Sequence, residues 1–171
     1  MKNFFLMALL VAIVIIYNSA EATRQLREKI SIDDEVYFFD GYPLEQLLSI
    51  AQFREKHKPE FICLNSWRGY QGNWSISNSQ LFLIALKDHC NFDSKGGGSI
   101  DLERILPDFD REKYYYKAKW YSGEIVIPIG DSKLIEGKKT KSGYQVYERQ
   151  VIVYLIQKGD VKYKTIEYRE R

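Results

Sequence analysis

Histidine and cysteine are nearly absent: the 171 residues hold two of each, with two methionines and four prolines. This scarcity removes most side-chain chemistry. There is no C-x-x-C or H-x-x-x-H spacing, so the sequence points to no metal site and no cofactor. Nucleophilic catalysis needs a base within reach of its nucleophile. His57 falls at the end of a helical run, where it offsets the helix dipole. His89 adjoins Cys90, and neighbours on a strand face opposite ways. Gly96-Gly97-Gly98 lacks the G-x-x-x-x-G-K-[ST] pattern of a phosphate-binding loop. The acids available to pair for glycoside chemistry, Asp40, Asp101, Glu103 and Glu124, lie in stretches that read as surface. No catalytic residue is expected.

Charge of one sign is also lacking. The formal net charge is +2 with acids and bases interspersed, and Lys138, Lys139 and Lys141 read as a solvated loop. Nucleic-acid binding, which needs a concentrated basic face, is not expected. Long apolar runs are missing after residue 16. The one at the start, Phe4 to Ile16, follows Lys2 and precedes Ala20-Glu21-Ala22, the pattern of a secretory signal peptide over residues 1–22. It is short for a membrane span. The reading is therefore a periplasmic or secreted protein with no stable membrane span after cleavage, and a single β-rich domain over residues 23–171.

Export puts Cys63 and Cys90 where they can oxidise. If residues 60–66, 72–77 and 80–87 form a meander, the two lie toward opposite ends of it, so a disulfide and two separate thiols stand as equal alternatives.

What the sequence has in quantity is tyrosine, thirteen of them, and branched residues in alternating runs. Residues 43–57 predict one helix, with Pro43 in its first turn, Leu44, Leu47, Leu48 and Ala51 on one stripe, and Pro59 after it. Strands are predicted from residue 60 onward: 73–77 and 81–86 joined at Asn78-Ser79, then 114–120, 123–128, 144–156 and 161–168, the last two joined at Lys158-Gly159-Asp160. Asp93 to Ser99 reads as a loop, and Asp101 to Leu106 as a single helical turn. The fold class is α+β: a mainly antiparallel β-sheet built of hairpins, with one N-terminal helix packed on it.

The stretch LNSWRGYQGNWSISNSQLFL, residues 64–83, concentrates aromatics between glycines. Trp67, Tyr70 and Trp74 form a candidate platform with Arg68 at its rim, with Trp120 and Tyr121 as further candidate binding residues, since interfaces favour Trp, Tyr and Arg. Trp74 and Ile76 read as core. For Arg68 and Tyr70 the exposed and the packed readings stand level. Trp120 and Tyr121, alternating along a strand, place at least one of the pair in the core.

Three segments, WRGYQGNWSISNSQLFL (67–83), AKWYSGEIVIPIG (118–130) and YERQVIVYLIQKGDV (147–161), resemble a loose group of small bacterial exported β-rich proteins of unassigned function. In that group a W-R-G-Y-x-G-x-W-x-I hairpin precedes a W-x-S-G-x-I strand and a C-terminal hairpin. The resemblance implies a bacterial, β-rich protein and carries no mechanism. By elimination the expected function is that of a non-enzymatic binding protein. The form considered first is a periplasmic inhibitor or immunity-like protein that contacts another protein through Arg68, Tyr70 or an acid such as Asp93 or Asp131. The alternative is a carbohydrate or cell-wall binding module that stacks sugars on Trp67, Tyr70, Trp120 and Tyr121.

Overall fold

The computed structural model describes residues 25–59, 63–90, 98–107, 109 and 115–170. The signal-peptide reading, the first half of the expected 60–66 strand, Asp93 and most of the glycine loop lie outside these residues. Within them the chain is mostly strand, with little helix. The strands are β1 (Glu28–Ile32), β2 (Glu35–Phe39), β3 (Gln71–Ser77), β4 (Gln80–Asp88), β5 (Gly98–Ile100), β6 (Tyr116–Lys117), β7 (Gly123–Pro128), β8 (Lys133–Lys139), β9 (Gln145–Gln157) and β10 (Asp160–Glu170). They form one sheet in the order β2-β1-β3-β4-β10-β9-β7, with β5 and β6 on β4 and β8 on β9.

The sheet is mixed, which corrects the expectation of hairpins alone: β1 pairs with β3 in parallel, Ile30 beside Trp74 and Ile32 beside Ile76. A parallel neighbour needs a crossover, and residues 40–70 supply it. The expected single helix over 43–57 is also corrected. Pro43–Gln46 is a 3-10 turn, and α1 begins afresh at Ile50 and runs to His57. The cause is Ser49, whose side chain accepts from the Gln52 amide while the Gln52 side chain accepts from the Ser49 amide, a capping box that starts a new helix. Leu44 and Phe53 are the buried residues that tie this crossover to the sheet. A second short helix, α2, spans Leu102–Ile105.

Hairpin turns follow the residues that tolerate left-handed backbone. Asp33-Asp34, Asn78-Ser79 and Lys158-Gly159 each have positive φ at both positions, the conformation whose twist matches paired strands. The first of these turns and both its strands were missed in the sequence, as was β8, which takes in Lys138 and Lys139, while Lys141 lies in the turn after it. Of the expected 114–120 strand, the described residues 115–120 form a strand only at Tyr116 and Lys117.

The inner face gathers alternate residues of β1, β3, β4, β7 and β9 into one core: Ile30, Trp74, Leu83, Ile125, Ile127 and Ile152 are all buried there. The sheet curls until β2 comes beside β7, although no ladder joins them among the described residues. The result is a partly open barrel. The β4 edge is satisfied piecemeal, by β10 at Gln80, β6 at Phe82–Leu83 and β5 at Leu86–Asp88. Cys63 and Cys90 are joined by a disulfide with Cα atoms 5.5 Å apart. The bond is reachable because Leu64–Ser66 is a 3-10 turn and not a strand, so the chain doubles back toward the end of β4. Among the described residues no helix is long and apolar enough to cross a membrane.

Candidate functional site

The aromatic stretch picked out in the sequence is largely inside the molecule. Tyr70 is 2 % exposed and Arg68 8 %, whereas Trp67 keeps 43 %. Gly69 makes the turn, with φ +85°. Gly72 serves another purpose: it lies within β3, where a Cβ would come within 2.1 Å of Glu28 Oε2 and 2.4 Å of Trp74 Nε1. The Arg68 guanidinium lies over the Tyr42 ring, 3.2 Å from its centroid, and donates to Glu45. It is an internal clamp that ties the end of the crossover back to its start.

Trp120 and Tyr121 are not on a strand; they close the turn that begins at Ala118. The Trp120 indole donates to the Pro43 carbonyl at 2.9 Å and its ring packs on Trp74 and Tyr116. The Tyr121 hydroxyl donates to the Glu124 carbonyl at 2.8 Å. Trp67, Arg68, Tyr70, Trp120 and Tyr121 therefore do not come together as one exposed surface. Asp131 is exposed but lies on the far side of β7 in sequence from this cluster.

Beneath them sits a carboxyl that no motif in the sequence marks out. Glu28 is 1 % exposed and accepts the Trp74 indole N–H at 2.7 Å. Burial pushes its pKa up to about 8, against the opposing pull of the Trp74 indole, the Gly72 backbone and the Arg68 charge. The same burial raises the Tyr70 phenol well above its ordinary value, helped by the nearby carboxyls of Glu28 and Glu45. A carboxyl of this kind suits acid-base chemistry only if substrate can reach it. Glu28 is sealed beneath Trp74, away from the open end of the barrel.

That open end is the candidate site. A cavity of about 890 Å3 lies where β4 and β10 part company after their one paired position, Asp160 and Gln80. Its apolar lining comes from the buried Ile32 and Tyr154 and the partly buried Ile76 and Val161. Its outer surface is polar: Asp33 and Asp34 from the β1–β2 turn, Asn78 and Ser79 from the β3–β4 turn, and Lys164 from β10. Tyr115 stands at the edge, 59 % exposed and packed on Phe82. The Lys164 ammonium lies 5.4 Å from the centroid of the Tyr154 ring, a cation–π contact that steadies it. An apolar floor under a ring of charges and hydroxyls is the general build of a recognition site.

The sequence singles out none of these positions as a site: Ile76 reads there as core, Asn78-Ser79 as a turn, and Tyr154 and Val161 as strand residues. The one signal available was Asp33-Asp34 itself, a dipeptide suited to a tight turn. Among the described residues no group of three or more His, Cys, Asp or Glu is placed to hold a metal ion. No family model, curated protein or solved structure matches this chain.

Proposed function

We propose that this is an exported, non-enzymatic binding protein of bacterial type, inhibitor- or immunity-like, whose barrel mouth receives a protruding segment of a partner protein. The observation that carries the reading is the mouth itself: about 890 Å3 of open cavity with a partly buried apolar floor and a charged rim. Its size suits a few side chains or a short loop, and its carboxylates and Lys164 give such a contact orientation and partner choice. The Cys63–Cys90 disulfide supports export, since such bonds persist in oxidising compartments. The reading of the protein as non-catalytic draws on Glu28, whose altered acidity belongs to the core and not to the mouth.

The test is affinity capture from envelope extracts of the host, comparing wild type with Asp33→Asn/Asp34→Gly and with Lys164→Glu. Asn-Gly is well suited to a turn with two positive φ values, so the first variant removes both charges while keeping the hairpin. A stoichiometric partner retained by wild type and lost by both variants is the expected result. A partner that binds all three equally overturns the mouth as the contact.

A second reading has its own observation. The β3 and turn residues at the cavity, Ser75, Ser77, Asn78 and Ser79, offer hydroxyls and an amide close to Tyr154 and Phe82, a combination that also suits a sugar ring. Titration with soluble glycans, followed by tyrosine and tryptophan fluorescence, separates the two: a saturable change abolished by Asp33→Asn/Asp34→Gly supports the glycan.

A further inference from the structure

β10 is bonded to β9 along its whole length, from Asp160 beside Gln157 to Glu170 beside Glu148. Its other edge is used only at the start, where Asp160 pairs with Gln80 and the Val161 amide donates to Ser79. From Lys162 to Glu170 no strand among the described residues takes that edge. A run of open backbone donors and acceptors is a template for another strand. Two large side chains on one face of this run, Ile166 and Tyr168, are 55 % and 57 % exposed.

We infer that the β10 edge pairs with a second copy of this chain, antiparallel, about a two-fold axis at Ile166. In a symmetric antiparallel pair the axis stands normal to the sheet, and facing residues must share a face, so it passes between two copies of the same residue. Each choice of that residue can be read directly from KYKTIEYRE, residues 162–170. An axis at Lys164 sets two ammonium groups against each other, and one at Glu167 sets two carboxylates against each other. One at Thr165 lays Lys164 against the apolar Ile166 and brings Asp160 opposite Glu170. An axis at Ile166 gives Ile166 facing Ile166, Lys164 facing Tyr168, Tyr163 facing Arg169 and Thr165 facing Glu167, with Lys162 at the bulge near Glu170. Every charge then meets an opposite charge, an aromatic ring or a hydroxyl.

Cross-strand pairs of these kinds are individually favourable. The usual protection of an edge is a lysine that repels or strands a second copy, and here the lysines find partners instead. The pairing also covers Ile166 and Tyr168. It lays Tyr168–Glu170 of one copy along Lys162–Lys164 of the other, adding a wall to the cavity that ends at Lys164. The inference stands on the strand edge alone and not on the proposed ligand.

The test is sedimentation velocity on the purified protein from about 1 µM to about 200 µM, the range where a small interface associates. A reversible dimer is expected, and Ile166→Lys, which brings two cations together at the axis, should remain monomeric. Register is tested separately with cysteine. Facing Cα atoms in an antiparallel pair lie about 4.5–5.5 Å apart, within disulfide range, so Ile166→Cys should cross-link as a dimer under mild oxidation. Tyr168→Cys should not, because its two copies stand about 14 Å apart along the strands. A monomer throughout the range overturns the inference. So does a dimer that Tyr168→Cys cross-links as readily as Ile166→Cys.

Discussion

The Trp74 indole donates to Glu28 Oε2 across 2.7 Å, inside a barrel wall where Gly72 leaves the room for both. The bond holds two neighbouring strands, β1 and β3, together through their side chains as well as their parallel ladder. It also places an ionisable group where water does not reach, so folding and protonation are linked. Burial pushes the Glu28 carboxyl up to about 8 in the folded chain, from an ordinary value of 4.5. Between those values the folded protein holds a proton that the unfolded chain has released, so stability falls as pH rises through this window and levels off above it. Each unit is worth about 1.36 kcal/mol, which puts the total loss at several kcal/mol. Glu28→Gln keeps a carbonyl oxygen for the indole and cannot ionise. Urea unfolding from pH 5 to 9 should show a falling profile for wild type and a much flatter one for the variant, with the variant the more stable at pH 9. Parallel profiles would exclude Glu28 as the source.

Gly72 makes a separate prediction. A methyl group there meets Glu28 Oε2 at 2.1 Å and Trp74 Nε1 at 2.4 Å, closer than atoms can approach, and both neighbours are packed. Gly72→Ala should destabilise by about 1–3 kcal/mol or more through forced displacement of the pair. A red-shifted tryptophan emission in the folded variant should accompany the loss. Retention of wild-type stability would mean that Glu28 has an alternative rotamer at little cost.

How much of this was legible in the sequence can be argued element by element. The β3–β4 and β9–β10 hairpins were readable because alternation and turn residues coincide there: Asn78-Ser79 and Lys158-Gly159 sit between apolar runs. β1 was not, because its buried face opens with Glu28, and a charged residue at a core position breaks the alternation that marks a strand. The helix boundary was misread because the leucine stripe continues across Ser49 while the local hydrogen bonding of Ser49 and Gln52 does not. At the site, Arg68 and Tyr70 carry the composition of an interface, but composition does not say which side of a sheet is covered. The crossover through Tyr42 and Phe53 covers them. The mouth depends on where β4 and β10 separate, a long-range property with no local signature.

The disulfide spans 27 residues in sequence. Closing a loop of that length in the unfolded chain is worth about 3–4 kcal/mol in the chain-entropy account. Cys90 is 1 % exposed, so Cys63→Ala/Cys90→Ala also removes buried sulfur. The double variant should lose about that much stability in urea unfolding under oxidising conditions. Wild type treated with a reductant strong enough to break the bond should match the variant to within the packing difference. A variant as stable as oxidised wild type would show that the crossover is held by Phe53 and Arg68 without help from the bond.

Arg68 and Tyr70 provide the sharpest contrast between composition and structure. Tyr70 packs its ring 4.7 Å from Phe53, centroid to centroid, with almost no surface exposed. Truncating a buried aromatic costs about 3–5 kcal/mol, so Tyr70→Ala should be severely destabilised. Arg68→Ala removes the stack on Tyr42 and the pair with Glu45, whose side chain is 34 % exposed. Partial solvation of that carboxylate softens the cost to about 1–3 kcal/mol. Arg68→Lys should recover little of it, because an ammonium cannot both lie flat on a ring and reach the carboxylate. Trp67→Ala, at a position 43 % exposed, should change stability least of the three. If Arg68→Ala and Tyr70→Ala instead fold with wild-type stability but lose a partner, the clamp opens in solution and these side chains belong to the surface after all. Loss of stability in proportion to burial, measured by urea unfolding across the series, assigns them to the core.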